Sequence, residues 1–352
     1  MATGMRRRRC PLIARGIARV AIGGDLGAYA APGTFDTPSL VADTLVDQIG
    51  YSAGWTSLRE AIGCVASGAP SGAITFAVSG VIMLGGTEPA LSGAATIDGD
   101  VDGDGAGDVT IGAGGLSRAL HVLAGADAAL SGLVVRGGAT AGNGGGIAVR
   151  GGAMLDLDDV TASDSAASIG GGIIVDTFGA MTARDLVVTD SQASVLGGGL
   201  ANRGDATIVN AEVSYNDGGT LGGGIASYPF SDATLANVTL HGNVAQFTAA
   251  MAMVQSTATL DHVTITANEA TDASAAPNGA LTISMSDVAV TNSIIAGNIG
   301  AAFPDLFIHT DALAAFPADA VLLGSAPVTD GGPTLAGTPG LIGVAVTTLF
   351  QA

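Results

Sequence analysis

The chain has no lysine: all 12 of its basic residues are arginine. Aromatic residues make up only 4% of it, and charged residues 12%. A compact globular core in a chain of 352 residues draws on more Phe, Trp and Leu than this. The apolar content is instead mostly Ala, Val and Ile, which suits thin layers stacked on one another. No uninterrupted apolar stretch of about 18 residues occurs, so no transmembrane segment is expected despite a mean hydropathy of +0.50. Only two cysteines are present, too few for a disulfide-stapled scaffold. The sequence has no phosphate-binding loop, nucleophile elbow, metalloprotease signature or Cys-x-x-Cys pair.

Charge is equally one-sided. A net charge of -19 sets the chain against nucleic acid and anionic lipid and in favour of divalent cations. Half of the arginines (Arg6, Arg7, Arg8, Arg9, Arg15, Arg19) crowd into the start of the chain. Residues 6–9 form a basic n-region, residues 11–30 are mildly apolar though interrupted by Arg15 and Arg19, and Ala28-Tyr29-Ala30 offers a cleavage site. Residues 1–30 therefore read as an export segment. Cys10 falls inside it, so the exported chain is expected to keep one thiol, Cys64, and no disulfide. That fits a bacterial protein that is secreted or held in the cell envelope.

What is present is a period. Gly-Gly-Gly followed by an aliphatic residue recurs at residues 144–147, 170–173, 197–200 and 222–225, in steps of 26, 27 and 25. A degenerate copy ends at Met251. A second column in the same phase holds Ser165, Ser191, Asn216, Asn243, Asn268 and Asn298. A third, six residues earlier, holds Asp159, Asp185, Asn210, Asn237, His262 and Asn292. Three columns sharing one period do not arise from composition.

Between the glycines lie short runs of period 2, such as residues 233–240 and 258–265, with Leu235, Val238 and Leu240 as inward candidates. No helical run separates them, which excludes βαβ units. The expected fold is all-β: a right-handed parallel β-helix, a solenoid of about nine coils with a short N-terminal capping helix. Equivalent residues of neighbouring coils then lie about 4.8 Å apart. Asn216, Asn243, Asn268 and Asn298 are expected to form a structural ladder, each amide bonding the next while tolerating the left-handed conformation of a corner. The layout expected is an export segment at 1–30, an N-terminal cap at 31–70, the β-helix at 71–300 and an irregular C-terminal cap or tail at 301–352. Within the cap, Ser57 and Glu60 are placed to close a capping box, and Leu58, Ile62 and Val65 share one helix face. That face would cover a first rung at residues 74–78.

The order of these elements carries a family resemblance. Thr44-Leu45-Val46-Asp47 followed by Ser57-Leu58-Arg59-Glu60-Ala61-Ile62 resembles the CSLREA-type motif of bacterial repeat proteins. Ile74-Thr75-Phe76, the acidic segment 96–105, the Gly-Gly-Gly rungs and the Gly-Gly-Pro-Thr-Leu segment 331–335 follow in the order of that pattern. Residues 43–335 thus resemble the choice-of-anchor Q and polymorphic-outer-membrane-like β-helix proteins. Two departures are Thr56, where the motif usually has Cys, and the tail beyond Leu335. The resemblance implies an exported, mostly non-catalytic surface repeat protein.

Two chemistries are legible. Asp98, Asp100, Asp102, Asp104 and Asp108 form a dense acidic cluster whose register Asp-x-Asp-x-Asp-Gly suits oxygen ligation of calcium, although Ile111 stands where a full EF-hand loop has Glu. Asp156, Asp158, Asp159 and Asp185 are candidates for the paired carboxylates of a polysaccharide-degrading enzyme, with Asp159 and Asp185 on adjacent rungs. Against this stand four scattered histidines and few aromatics to stack on sugar rings. Thr161, Thr239, Thr264 and Thr291 recur without a regular Thr-x-Thr array, so ice binding is not expected. No catalytic residue is assigned. The function expected is adhesion or surface display by a monomer whose ligand is a surface glycan or protein. The alternative is a β-helix lyase or glycoside hydrolase.

Overall fold

The structure is a computed structural model that describes residues 40–48, 55–68, 73–273, 279–300, 304–309, 311–315, 321–325, 328–329 and 341–342. The export segment expected at 1–30 and the closing segment 331–335 lie outside the described residues. Every strand pairing is parallel, and one strand of each coil lies over its counterpart in the next. Two long sheets run the length of the molecule, one of 14 strands and one of 10. The chain is thus a parallel β-helix of about eight turns, with a single helix among the described residues. Dividing the length by the period suggests nine. The coils are fewer because some are longer, as where the ladder step from Asn268 to Asn298 stretches to 30 residues.

The larger sheet is built from ten-residue strands: Asp127–Arg136, Met154–Ser163, Ala180–Thr189, Asp205–Ser214, Asp232–His241 and Thr257–Thr266. Each bends at its sixth residue, where φ turns positive: 55° at Gly132, 51° at Asp159, 52° at Asp185, 54° at Asn210, 57° at Asn237 and 55° at His262. The bend reverses the alternation of faces, so Leu235, Val238 and Leu240 all point inward and are 1% exposed or less. Short polar side chains tolerate this left-handed conformation, which accounts for the third sequence column. From Asp159 onward this bend column is exposed, and Asn237 Nδ2 donates to Asn210 Oδ1 across it at 2.8 Å.

The second column is the inner ladder. Asn216, Asn243 and Asn268 are buried, and each donates both its backbone N–H and its side-chain N–H to the Oδ1 of the next asparagine, Asn243, Asn268 or Asn298, at 2.9–3.0 Å. Each Nδ2 also donates to a strand carbonyl, Val188, Val213 or Leu240. Ser191 and Ser165 continue the column with hydroxyls. One expectation is corrected: the ladder asparagines do not themselves adopt the left-handed conformation. The residue before each does, as at Asp190, Tyr215, Gly242, Ala267 and Gly297. Separating the two roles leaves the ladder amide free to align with its neighbours. Beyond Asn298 the column ends on Asp305, a buried residue whose Oδ1 accepts from Asn298 N and Nδ2 at 3.2 and 2.9 Å. A carboxylate only accepts, which is what the last amide of a donor chain requires.

The triple glycines have a steric cause. Gly170 has φ +66°, and a Cβ on Gly171 would sit 2.3 Å from the carbonyl oxygen of Gln192. At the N-terminal end the helix Leu58–Ala66 starts from Ser57, with the capping box to Glu60 formed as expected. Leu58 and Ile62 are buried over the first rung, where Ile74 is fully buried, and Val65 packs against that core. Cys64, on the same helix, is buried in that core; Cys10, expected in the export segment, lies outside the described residues.

Replacing Asn243 by Leu removes the acceptor of two buried N–H groups, at about 1–3 kcal/mol for each buried group left unpaired. Asp185 is exposed and bonds no ladder. Thermal melts should therefore show Asn243→Leu lowered by about 5–15 °C, and Asp185→Ala changed by only a few degrees. Equal shifts in the two would show that the ladder does not carry the stability.

Candidate functional site

Strands Ala94–Asp98 and Val109–Gly112 both pair with the one bent strand Asp127–Arg136, on either side of Gly132. The acidic loop 99–108 is therefore an insertion at the bend column. Gly99 and Gly107 make it possible, since a Cβ on either would meet Gly132 at under 3.0 Å. The loop is braced by its own carboxylates. Asp100 accepts from Gly103 N and Gly105 N, Asp102 from Asp104 N, Asp104 from Ala106 N, and Asp108 from Val101 N, at 2.8–3.2 Å. Of the five predicted metal ligands the structure brings three together: Asp100, Asp102 and Asp108 have carboxylate oxygens within 4.8 Å of one another. Asp98 instead accepts from Ser131 Oγ at 3.1 Å, and Asp104 stays outside the trio. Three carboxylates offer hard oxygen donors with lone pairs to spare, a set that suits calcium.

The loop caps a stripe of negative charge. One rung on stands Gly132, then Asp159 and Asp185, flanked in register by the pairs Asp158 with Arg184 and Val160 with Leu186. Asp159 and Asp185 are neighbours as expected. Burial raises the Asp159 pKa, and Asp185, Asp158, Asp100 and Asp104 all push it the same way. Asp156 faces outward beside Thr182, on the flat part of the sheet. These carboxylates sit on an exposed corner of the solenoid. A shallow groove of about 560 Å³ lies elsewhere, on a third face where strand Ala166–Ile169 pairs with Gln192–Leu196, lined by Gly115, Thr140, Ala141, Ala167, Ser168 and other small residues with no titratable group among them.

One histidine, His121, belongs to a cluster that crosses the coils. Glu88, His121, Arg150 and Asp176 stand on four successive coils and form one chain of contacts. His121 Nδ1 meets Glu88 Oε1 at 2.7 Å, Arg150 Nε donates to His121 Nε2 at 2.8 Å, and Arg150 pairs with Asp176 at 2.8 Å. Buried Arg118 joins Glu88 to the carbonyls of Asn143 and Gly144. Because Nε2 accepts, the His121 proton sits on Nδ1. Burial lowers the His121 pKa, Arg118 and Arg150 lower it further, and Glu88 opposes them. These groups are saturated by one another, which makes the cluster a brace across coils. Sequence reading misses it because the steps of 33 and 29 residues depart from the repeat, leaving only the 26-residue step from Arg150 to Asp176 in phase.

The threonines weighed in the sequence divide among columns. Thr161, Thr239 and Thr264 share one, broken by Val187 and Glu212. An unbroken column of four, Thr182, Thr207, Thr234 and Thr259, runs along the outer face. Beside it stand Ala180, Asp205, Asp232 and Thr257, so the face is a mixed polar surface and not a flat threonine array.

Fold and site together define a parallel β-helix protein with an acidic corner. Comparison with known proteins adds no family: no family model, no curated protein and no solved structure matches the chain.

The Asp159 pKa carries a consequence for stability. A carboxyl whose folded-state pKa is raised favours the fold when protonated, and that contribution is lost as pH rises through it. Ionised Asp159 thus opposes folding at pH 7. Asn fills the same bend position at Asn210 and Asn237. Asp159→Asn should melt higher than wild type at pH 7, and the difference should close below about pH 4. A variant that melts lower at pH 7 would contradict the crowding of charge at this corner.

Proposed function

We propose that the chain is an exported, non-enzymatic protein of the cell surface or envelope that acts as a monomer in adhesion or display. The observation that carries this reading is the division between inside and outside. The buried polar groups of the ladder are satisfied by one another. The acidic residues suited to chemistry stand on an open corner, where water is not excluded and a substrate is not enclosed. The groove on the third face holds no acid or base. Among the described residues no helix is long and apolar enough to cross a membrane. The CSLREA-like order of elements supports export. Asp100, Asp102 and Asp108 would hold a calcium ion that neutralises the loop.

A polysaccharide-degrading enzyme is the second reading, favoured by the adjacency of Asp159 and Asp185. In it one carboxyl would act as acid and the other as base or nucleophile.

Antibody labelling of intact cells of the source organism should detect the protein at the surface; confinement to the cytosol would overturn the reading. Calorimetric titration should show calcium bound with Kd on the order of 10⁻⁴–10⁻³ M, as in extracellular modules, and lost in Asp102→Ala. Incubation with a polysaccharide panel and calcium should release neither reducing sugar nor unsaturated product. Release that disappears in Asp159→Asn would establish the enzyme instead.

A further inference from the structure

Four-residue turns link the three-residue strands to the bent strands. Ala126 N donates to Leu123 O, Ala153 N to Arg150 O, Gly179 N to Asp176 O and Ser231 N to Tyr228 O, at 2.8–3.0 Å. The third residue of each turn has positive φ: 73° at Gly125, 72° at Gly152, 65° at Phe178 and 69° at Phe230. This is the position that a type II turn reserves for glycine, and Pro229 fills the preceding position as that turn prefers. A bulky side chain there is a genuine conformational outlier. Neither phenylalanine recovers the strain by packing. Phe178 is 86% exposed and Phe230 is 94% exposed, the two highest values among the exposed large hydrophobics. Among these four turns phenylalanine thus replaces glycine twice, with no packing gain to the fold; the corner continues in the left-handed region at Gln255 (φ 52°) and Met285 (φ 48°), which bond each other as the phenylalanines do not.

The two rings are related by the solenoid. Between their coils lies one more, whose connection is only Arg203-Gly204: Arg203 N donates to Val175 O of the coil before, and Gly204 O accepts from Asp232 N of the coil after. Two coils at roughly 4.8 Å each place Phe178 and Phe230 about 10 Å apart along the axis. The two turns share one hydrogen-bond pattern and nearly the same φ at phenylalanine. That separation is close to one disaccharide unit of an extended β-1,4-linked glycan. Exposed aromatic rings at such a repeat offer apolar faces to alternate pyranose rings. Beside them the outer sheet presents Asp205, Asp232, Thr182, Thr207 and Thr234, all of them acceptors for sugar hydroxyls. Arg203, held over the Tyr228 ring at 5.8 Å, stands between the two platforms. The exposed carboxylates and the net charge of -19 disfavour a polyanionic chain.

We infer that Phe178 and Phe230 are stacking platforms for an extended, uncharged β-1,4-linked glycan lying along the solenoid axis. The inference rests on the surface-binding reading and supplies its ligand class.

The test uses the full chain and hexasaccharides of β-1,4-linked glucose, xylose and N-acetylglucosamine, with a galacturonate hexamer as the anionic comparison. Titration should show binding of at least one neutral hexamer, weakened about tenfold or more in Phe178→Gly and in Phe230→Gly. Phe230→Tyr should keep it. Melting temperatures of the glycine variants should equal or exceed that of wild type, since glycine relieves the left-handed turn. Binding lost together with a lowered melting temperature would instead mark the rings as structural and overturn the inference. So would binding of no neutral hexamer, equal binding of the galacturonate, or phenylalanine-dependent self-association in its place. A surface-exposed protein that binds no hexamer overturns this inference alone. Phenylalanine-dependent binding by a protein absent from the surface supports it and overturns the reading of location.

Discussion

Each buried asparagine of the inner column offers its side-chain oxygen to the coil before it and its side-chain N–H to the coil after it. The chain of amides runs from Asn216 to Asn298 and terminates on the Asp305 carboxylate. A coil placed one residue out of register would leave several of these groups buried and unpaired, at about 1–3 kcal/mol each. The ladder therefore fixes register as well as contributing to stability. Apolar layers alone would not, because stacked Val, Ile and Leu tolerate small shifts. Everything outside the solenoid inherits its placement from this registration: the bend column, the turns and the outward faces repeat because the inner column repeats.

That registration converts sequence columns into surface stripes. One corner gathers loop 99–108, Asp159 and Asp185, and there partial burial, reinforced by the neighbouring carboxylates, makes the Asp159 carboxyl hold its proton more tightly than usual. Another corner holds Phe178 and Phe230 in a conformation better suited to glycine. Both corners are unfavourable locally, by repulsion in one case and by backbone strain in the other. A rigid stack of parallel strands can sustain such penalties, because each coil is clamped by hydrogen bonds to two neighbours. The Glu88–His121–Arg150–Asp176 chain adds a second clamp across four coils, this time of charged groups paired with one another.

How much could be read in the sequence follows from how each feature repeats. Asn216, Asn243 and Asn268 stood out because they recur at the coil period and in one residue type. Asp305 did not, because it follows Asn298 by seven residues and joins the column by folding back. His121 and Arg150 were hidden by insertions that shift their spacing from the period. Residue type points to the ladder asparagines for the left-handed conformation, whereas the preceding residue carries it; a column of Asp, Tyr, Gly and Ala has no compositional signature. Phe178 and Phe230 lie two coils apart with Arg203 between them, so no column of aromatics appears in the sequence. Five clustered aspartates suggest one site, yet Asp98 turns to Ser131 Oγ on the next coil and Asp104 to Ala106 N, and only Asp100, Asp102 and Asp108 converge.

The sequence by itself determined the solenoid, its period, the identity of the inner ladder and the capping box at Ser57, because each follows from residue type and spacing along the chain. The tertiary structure alone decided which outward side chains share a corner, which aspartates converge and where the ladder ends. Those outcomes depend on distances between coils, and a one-residue change in loop length moves a side chain to another face without leaving a trace in local pattern.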